Sequence, residues 1–382
     1  MGSKSFKILT VYKLKTLTIL DPKINSESQN DQQDMKILNL LYKQNTGGVG
    51  QCFIDYGNAL IKNGNEVSII ISEKNRLNAD YSIFQNVYKL KNHAPILDSL
   101  KILLIENKQK PDFIICHDPR SIRLACNIKL LIRAKVIGIN HGWGYKQSLR
   151  ADYIFNVNEP IRQKTIESGF DKNKTFVVSN MIEMEDSEKF LPQKFHKPII
   201  IGALGRIERD KGFDILVETA KLLKKQKIDF KVKIGGFVAE DKGEFFKTLK
   251  CTISSYNLKN EIEFVGQVTN KKKFYDSIDI LVVPSRHESF GMVILEGFKY
   301  SKPIISSNTD GAKILIKDNK NGLIFNTEDA KMLAEQLKFL IKNQKIAEKI
   351  AKSGFEDAKK KYSMEIVGRE INKKLINFSQ TN

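Results

Sequence analysis

The sequence predicts an α/β protein with two doubly wound domains that face each other across a cleft. Two series of apolar, β-branched runs alternate with amphipathic helical patterns, and a polar, proline-containing stretch at residues 184–198 separates them. Continuous apolar strands between helices are typical of a parallel sheet covered on both faces. A length of 382 residues also exceeds one ordinary core and favours two domains.

The first series begins with the strand MKILNLLY at residues 35–42 and continues through EVSIIIS, DFIICH, KVIGIN, DYIFNV and TFVVSN. The second begins with PIIIGALG and continues through FKVKIGG, EIEFVG, ILVVPS, PIISSN and GLIF. We therefore predict one domain over residues 35–190, a second over 191–360 and a C-terminal segment over 361–382. Ligands of such sheets bind beyond the carboxyl ends of the strands, so the cleft is the expected site.

Residues 1–34 differ from both series. The stretch SFKILTVYKLKTLTIL mixes lysine with aliphatic residues, and NSESQNDQQD is polar and turn-like. We interpret this segment as an N-terminal extension, disordered or non-native, that is vector-derived, misannotated or loosely attached. A basic segment that lies on a membrane surface is the alternative.

Positive charge is the clearest compositional feature, since 63 Lys and Arg against 44 Asp and Glu give a formal net charge of +19. Dispersed lysine reflects either a solvated surface or attraction to an anionic partner, such as a phosphate-bearing substrate or anionic lipid. Nucleic acid is disfavoured because no zinc-finger spacing, RNP-like motif or basic heptad region is present.

The four cysteines form no CxxC pair. They give no support to a metal site or a disulfide framework, and they suit a reducing cytosol. No apolar run in the sequence approaches the ~18–20 residues that cross a bilayer, so any membrane contact is expected to be peripheral.

Candidate residues of the first domain follow its strands. Gly47 and Gly48 join the first strand to the first helix, where backbone N–H groups and the helix dipole favour a phosphate. The stretch lacks Walker and complete GxGxxG spacing, and a structural glycine turn is the alternative. His141 ends a later strand and is either a proton acceptor or hydroxyl ligand, or a structural histidine. His117 has a similar position and a weaker claim, and Trp143 either stacks on an acceptor sugar or fills a core.

Two loops of the second domain carry opposite charges. The stretch GRIERDKG places Arg206 and Lys211 directly after a strand, and a forked donor with a mobile cation suits a diphosphate. Ordinary exposed charge is the alternative for this loop. The stretch RHESFGMVILEG places Glu288 in a loop and Glu296 about two turns into the helix that follows.

These two glutamates are not expected to form an acid/base couple across one bond. Carboxylates accept hydrogen bonds from sugar hydroxyls well, which predicts Glu296 on a ribose and Glu288 on a transferred sugar. If the helix begins near Phe290 or Gly291, the backbone N–H groups of those residues face the phosphates.

These motifs occur in an order that resembles the retaining GT-B-fold glycosyltransferases of glycosyltransferase family 4, also described as glycosyl transferases group 1. The matching positions are Glu288-Ser289-Phe290-Gly291 with Glu296, Gly205-Arg206 with Lys211-Gly212, Gly47-Gly48, and His141-Gly142. The usual Asn-Gly at the interdomain crossing is replaced here by Asn180-Met181. The resemblance covers residues from about 35 to the C-terminus and is most specific in the second domain.

The resemblance implies a GT-B fold of two Rossmann-like domains, a nucleotide-diphosphate sugar such as a UDP-sugar as donor, and no metal or other cofactor. Arg206 and Lys211 would stabilise the departing diphosphate, and the base would lie near Val265 and Gly266. Transfer with retention would proceed on one face, the leaving phosphate taking the acceptor proton, so that His141 would orient the sugar. The implied catalytic residues are Arg206, Lys211, Glu288 and His141. The implied donor-binding residues are Gly47, Gly48, Arg206, Lys211, Val265, Gly266, Glu288, Ser289, Phe290, Gly291 and Glu296.

We therefore predict a cytoplasmic hexosyltransferase, peripheral on the inner face of the plasma membrane, that acts on a glycan or lipid-linked acceptor in surface polysaccharide or lipopolysaccharide-type biosynthesis. A GT-B-fold nucleotide-sugar epimerase and a catalytically silent GT-B binding subunit are the alternatives. The last segment, with EIVGREINKKLINF, is expected to pack towards the first domain.

Overall fold

Two parallel sheets organise the protein, as shown by a computed structural model. The structure describes residues 34–42, 47–74, 77, 79–91, 94–238 and 243–380. The predictions for the N-terminal extension therefore lie outside the described residues, apart from Asp34.

The first sheet has seven strands in the order β3-β2-β1-β4-β5-β6-β7, all parallel. The strands are β1 Lys36–Leu41, β2 Glu66–Ser72, β3 Val87–Leu90, β4 Phe113–Cys116, β5 Lys135–Asn140, β6 Tyr153–Asn156 and β7 Thr175–Val177. The helices between them are α1 Gly48–Lys62, α2 Pro95–Gln109, α3 Pro119–Asn127 and α4 Glu159–Glu167. Strand order reverses between β1 and β4, which places a ligand crevice at their carboxyl ends.

Alternating side chains of the first sheet enter two different cores. Ile37 packs in a cluster with α1 and with α12, whereas Leu38 packs in a cluster with α2 and α3. Burial on both faces explains why these strands read as unbroken apolar runs. Strand β3 was not predicted, because its four residues VYKL form a short edge strand with only Leu90 fully buried.

The second sheet has six parallel strands in the order β10-β9-β8-β11-β12-β13. The strands are β8 Ile199–Leu204, β9 Phe230–Gly235, β10 Ile262–Gly266, β11 Ile280–Val283, β12 Ile304–Ser307 and β13 Leu323–Phe325. The helices are α5 Phe213–Lys225, α6 Gly243–Ser255, α7 Lys271–Asp276, α8 Met292–Lys299, α9 Asp310–Leu315, α10 Ala330–Lys342, α11 Gln344–Asp357 and α12 Met364–Gln380. Here strand order reverses between β8 and β11. The prediction of two doubly wound, Rossmann-like domains is thus confirmed.

The chain crosses between the two sheets twice, and the crossings lie side by side. The Ile182 N–H donates to the Tyr362 carbonyl at 2.8 Å, and the Met364 N–H donates to the Ile182 carbonyl at 2.9 Å. After the second crossing α12 packs on the first sheet, where Phe378 stacks on Tyr153 with ring centroids 3.8 Å apart. Among the described residues, no helix is both long enough and apolar enough to span a membrane.

Candidate active site

The loop after β8 is held against the end of β11. Gly212 has φ +65° and precedes α5, and a Cβ atom at this position would lie 1.9 Å from the Pro284 carbonyl oxygen. Both the backbone conformation and the close approach therefore require glycine here. Lys211, one residue earlier, is fixed at the crevice between β8 and β11, whereas Arg206 is half-exposed and pairs with Glu208 at 2.8 Å.

Arg286 fastens the β8 loop to the β11 loop. Its guanidinium donates two hydrogen bonds of 2.8 Å to the Asp214 carboxylate and one of 2.6 Å to the Arg209 carbonyl, and it also contacts Glu328. Hydrogen bonds to Asp214 and Glu328 raise the already high pKa of Arg286 further. The Arg286 N–H donates to the Asp210 carbonyl at 2.8 Å. Arg286 was not predicted as a site residue from the sequence.

Lys211 and Glu288 meet where the two loops face each other. The Lys211 Nζ atom lies 2.6 Å from Glu288 Oε2, and both side chains are largely buried. Both residues of this ion pair were predicted from the sequence to bind the donor substrate. Because the pair has so little access to water, its charges are screened less than those of a surface pair.

Glu296 lies only one turn into α8, not two as predicted. The helix begins at Met292 because Gly291 adopts φ +94° and residues before it form an irregular loop. The Glu296 carboxylate accepts hydrogen bonds from Lys271 Nζ, at 2.9 and 3.1 Å, and from the Tyr275 hydroxyl at 2.9 Å. Burial, with a contribution from Glu296, raises the pKa of Tyr275 well above its ordinary value, so its hydroxyl stays a donor.

The start of α9 packs against the backbone of the loop from Glu288 to Gly291. The Gly311 N–H donates to the Glu288 carbonyl at 2.8 Å, and a Cβ atom on Gly311 would lie 2.7 Å from the Phe290 backbone. The Phe290 side chain is buried and meets the Tyr362 ring edge-on. Gly311 was also missed by the sequence analysis, since its role depends on a contact between distant segments.

The remaining predicted donor residues of the second domain end the edge strand β10. Val265 is exposed, and Gly266 has φ +72°. The Gly266 carbonyl accepts a hydrogen bond of 2.8 Å from the Gly236 N–H, which follows β9. Val265 and Gly266 therefore lie at the same sheet edge as the loops after β8 and β11.

Residues of the first domain reach the β11 loop from the opposite side. A Cβ atom on Gly48 would lie 3.6 Å from Met292 Cγ, and one on Gly142 would lie 3.1 Å from Ser289 Oγ. The Asn158 amide donates to the Ser289 carbonyl at 2.7 Å. The structure thus brings Gly48 to the first residue of α8 and Gly142 to Ser289, while a Cβ atom on Gly47 would have no neighbour within 4 Å. Residues 45 and 46 of the same glycine stretch lie outside the described residues.

Two histidines at the carboxyl ends of β4 and β5 interact directly. His117 Nδ1 lies 3.1 Å from His141 Nε2, and their rings stack with centroids 5.3 Å apart. His117 Nε2 lies 2.8 Å from Asn39 Oδ1, which requires a proton on that nitrogen. His117 Nδ1 is then the acceptor, and His141 carries its proton on Nε2.

Both rings are neutral at physiological pH. Burial lowers the pKa of His141 to about 4, an effect that the neighbouring Asn180 side chain partly opposes. Burial and His141 together lower the pKa of His117 well below its ordinary value. His141 Nδ1 is buried beside the Asn180 side chain, but the two do not approach to ordinary hydrogen-bond geometry. With its proton on Nε2, His141 can accept a hydrogen bond at Nδ1. Trp143, two residues later, is exposed.

A buried carboxyl group lies behind the glycine loop. Asp55 of α1 accepts a hydrogen bond from Gln51 Nε2 at 2.9 Å. Burial raises the pKa of Asp55 to about 7, and Glu183 and Glu296 contribute in the same direction. Among the described residues, no group of three or more His, Cys, Asp and Glu side chains is placed to bind a metal ion.

Two family models match the chain in succession. The model described as Glycosyltransferase Family 4 matches residues 46–186, and the model described as Glycosyl transferases group 1 matches residues 184–357. The two models therefore correspond to the two sheets and together extend from the first glycine loop to α11.

Individual relatives match along most of their length. The capsular polysaccharide biosynthesis glycosyltransferase CapM of Staphylococcus aureus is 25% identical, over 82% of this chain and 86% of its own. The lipopolysaccharide core biosynthesis glycosyltransferase LpsE of Rhizobium meliloti is 23% identical, over 84% and 93%. The crystal structure of Anabaena HepE in complex with UDP and glucose covers 90% of this chain and 100% of its own, with a TM-score of 0.74 and 18% identity.

The protein has the GT-B fold, in which two doubly wound domains face each other across the carboxyl ends of their strands. In each domain the candidate loops lie where the strand order reverses. The chain belongs to the GT-B-fold glycosyltransferases, with the Family 4 model in its first half and the group 1 model in its second.

Proposed function

We propose that this enzyme is a retaining, metal-independent hexosyltransferase that moves a sugar from a nucleotide-diphosphate sugar to a glycan or lipid-linked acceptor in surface polysaccharide biosynthesis. The assignment of CapM to capsular polysaccharide biosynthesis and of LpsE to lipopolysaccharide core biosynthesis supports the pathway class, and the UDP and glucose in the HepE complex support a UDP-sugar donor. A lipid-linked acceptor would place the enzyme on the cytoplasmic face of a membrane.

The observation that carries the proposal is the largely buried ion pair between Lys211 and Glu288. It lies where the strand order of the second sheet reverses, beside the start of α8. When a diphosphate enters, Lys211 can exchange its carboxylate partner for a phosphate oxygen, and Arg206 can turn inward from its half-exposed position. Glu288 is then released to accept hydrogen bonds from hydroxyls of the transferred sugar.

Glu296 can bind the ribose without losing its present partners. Its two carboxylate oxygens offer about four acceptor positions, and Lys271 and Tyr275 occupy three of them with their hydrogen bonds. These partners fix the carboxylate, so that little rotational freedom is lost when a ribose hydroxyl donates to it. Lys271 and Tyr275 are therefore positioning residues for Glu296.

The transfer step breaks the bond between the sugar anomeric carbon and the diphosphate oxygen and forms a bond to the acceptor oxygen on the same face. The acceptor proton passes to the leaving phosphate, which gives the glycoside and a nucleoside diphosphate. Lys211 and Arg206 stabilise the charge that develops on the leaving group. His141, neutral and with its Nδ1 free to accept, orients a donor-sugar hydroxyl and is not a general base.

The test is a transfer assay with a panel of nucleotide sugars and a lipid-linked glycan acceptor, with product configuration read by NMR. We expect one donor to give an α-glycoside from an α-linked donor, with a rate that a chelator does not change. Lys211→Ala and Glu296→Gln should each lower turnover by about 100-fold or more. Lys360→Ala, an exposed lysine paired with Glu356, is the control and should leave turnover unchanged. Inversion, chelator inhibition, or full turnover in both site variants would overturn the proposal.

A further inference from the structure

One face of α2 is apolar and exposed. Ile96, Leu97, Leu100 and Leu104 are 73%, 53%, 47% and 70% exposed. At the helical rotation of about 100° per residue, these four side chains fall within an arc of about 100°. They therefore form one continuous stripe. A continuous apolar stripe on a surface indicates a contact site, whereas single scattered apolar residues do not.

A short turn lies next to the C-terminal half of this helix and carries two exposed leucines. Leu130 is 98% exposed, and Leu131 is also exposed. The turn is held to α2 by Glu106, whose Oε1 atom accepts a hydrogen bond of 3.0 Å from the Arg133 N–H. We call the exposed stripe on the helix the α2 face; it consists of Ile96, Leu97, Leu100 and Leu104.

The charges of α2 that remain accessible to solvent are positive. Both acidic residues of α2 are buried, since Asp98 accepts a hydrogen bond from the Tyr42 hydroxyl at 2.7 Å and Glu106 lies under the turn. Lys101 and Lys108 lie along the edge of the stripe at the helical spacing. No acidic side chain of α2 therefore faces the same side as the leucines.

Further cations lie on the neighbouring helix. The Ser99 hydroxyl of α2 donates to the Leu124 carbonyl of α3 at 3.1 Å, so the two helices pack side by side. Arg120 and Arg123 are exposed on α3. The helix packed beside α2 thus adds two exposed cations to the lysines of α2 itself.

The α2 face begins at the rim of the cleft. Tyr42 follows β1, and its N–H donates to Asp118, which follows β4 and caps α3. Because the Tyr42 hydroxyl also binds Asp98, the first turn of α2 lies at the strand ends where the order of the first sheet reverses. His117, the residue before Asp118, contacts His141 at the site.

We propose that the α2 face docks the enzyme on an anionic phospholipid bilayer, with its aliphatic side chains in the headgroup boundary and the flanking lysines and arginines on lipid phosphates. A protein partner is disfavoured because protein interfaces are enriched in aromatic residues and depleted in lysine, whereas this face combines leucine, isoleucine and lysine. This inference rests on the proposed lipid-linked acceptor, whose glycan would then emerge at the rim of the cleft.

The test is sedimentation of the full chain with vesicles of phosphatidylcholine alone or mixed equally with phosphatidylglycerol, at low and high salt. We expect binding to the anionic vesicles that weakens at high salt. The double variant Leu100→Ser/Leu104→Ser should lower the partition coefficient on the order of tenfold or more. Leu191→Ser, an equally exposed leucine between the two domains, is the matched control and should bind as the wild type does.

A charge-reversed variant tests the electrostatic part separately. Lys101→Glu/Lys108→Glu should lower binding to anionic vesicles by about tenfold or more. Lys345→Glu/Lys349→Glu changes the net charge equally on α11, where both lysines are exposed, and should have a smaller effect. If both double variants lost vesicle binding equally, net charge alone would explain the attraction, and the assignment of docking to the α2 face would be overturned.

Titration with UDP separates this inference from the proposed function. The α2 variants should keep the wild-type melting temperature and bind UDP as the wild type does. Wild-type UDP binding without vesicle binding, or unchanged vesicle binding by folded Leu100→Ser/Leu104→Ser, would overturn the docking proposal alone. A change from dimer to monomer in this variant would assign the face to a second copy of the chain instead.

Discussion

Replacing Arg286 by glutamine removes the cation that joins the two charged loops of the donor site. The Arg286 side chain is only 11% exposed, and its guanidinium makes a two-pronged contact with Asp214, an ion pair with Glu328 and a hydrogen bond to the Arg209 carbonyl. Glutamine keeps a polar side chain but is shorter and has neither the charge nor the forked geometry.

The magnitude follows from the exposure of the partners. Breaking a fully buried pair costs about 3–5 kcal/mol, whereas an exposed pair is worth about 0–1 kcal/mol. Asp214 is 37% exposed and Glu328 58%, so the Glu328 contact adds little and the cost lies near 2–3 kcal/mol. For a domain of this size, that is a fall in melting temperature of about 4–12 °C. The loops that carry Lys211 and Glu288 would shift, and a displacement of ~1 Å at a site can cost about 100-fold in rate.

Thermal unfolding and calorimetric titration with UDP measure both effects in Arg286→Gln. The control is Arg369→Gln, which removes an arginine paired with Glu365 on the exposed side of α12 and should change the melting temperature little. A melting temperature and a UDP affinity that both equal the wild-type values would refute the role assigned to Arg286.

Three further predictions concern other parts of the site. Gly212→Ala should destabilise the second domain by several kcal/mol, measured by urea unfolding, because its Cβ would meet the Pro284 carbonyl; stability equal to the wild type would contradict this contact. Asp55→Asn should raise the melting temperature at pH 8 but hardly at pH 4. The folded-state pKa of Asp55 is about 7 against an ordinary 3.8, so its ionisation costs stability progressively between those values, at most about 4 kcal/mol; an equal gain at both pH values would contradict it. For His141, whose pKa is about 4, His141→Gln should keep more transfer activity than His141→Phe, and a pH–rate inflection near 6.5 from this residue would contradict the neutral ring.

Local patterns of the sequence predict much of the fold. The runs before the charged loops, such as those ending at Leu204 and Val283, are apolar over their whole length because both faces of the sheet are covered. Turn glycines then separate strand from helix. The motif positions follow from this alternation alone, since loops at the carboxyl ends of parallel strands meet at one edge.

The side-chain partners could not be predicted in the same way. Lys271 is 25 residues from Glu296, and Arg286 is 72 residues from Asp214. Each is one of many charged residues in a lysine-rich chain, and spacing does not say which of them face inward. The exposed stripe on α2 could not be predicted either. Leucines and isoleucines in a helix indicate core packing, and only the structure shows that neighbouring elements cover just one face of α2.

The most direct test of the account is calorimetric titration of nucleoside diphosphates into the wild type, Lys211→Ala and Lys360→Ala. We expect one of UDP, GDP, ADP and CDP to bind the wild type and Lys360→Ala equally, and Lys211→Ala about 10- to 100-fold more weakly, because one charged phosphate contact is lost. Binding of none of the four by the folded wild type, or equal affinity in Lys211→Ala, would contradict a donor site between the β8 and β11 loops.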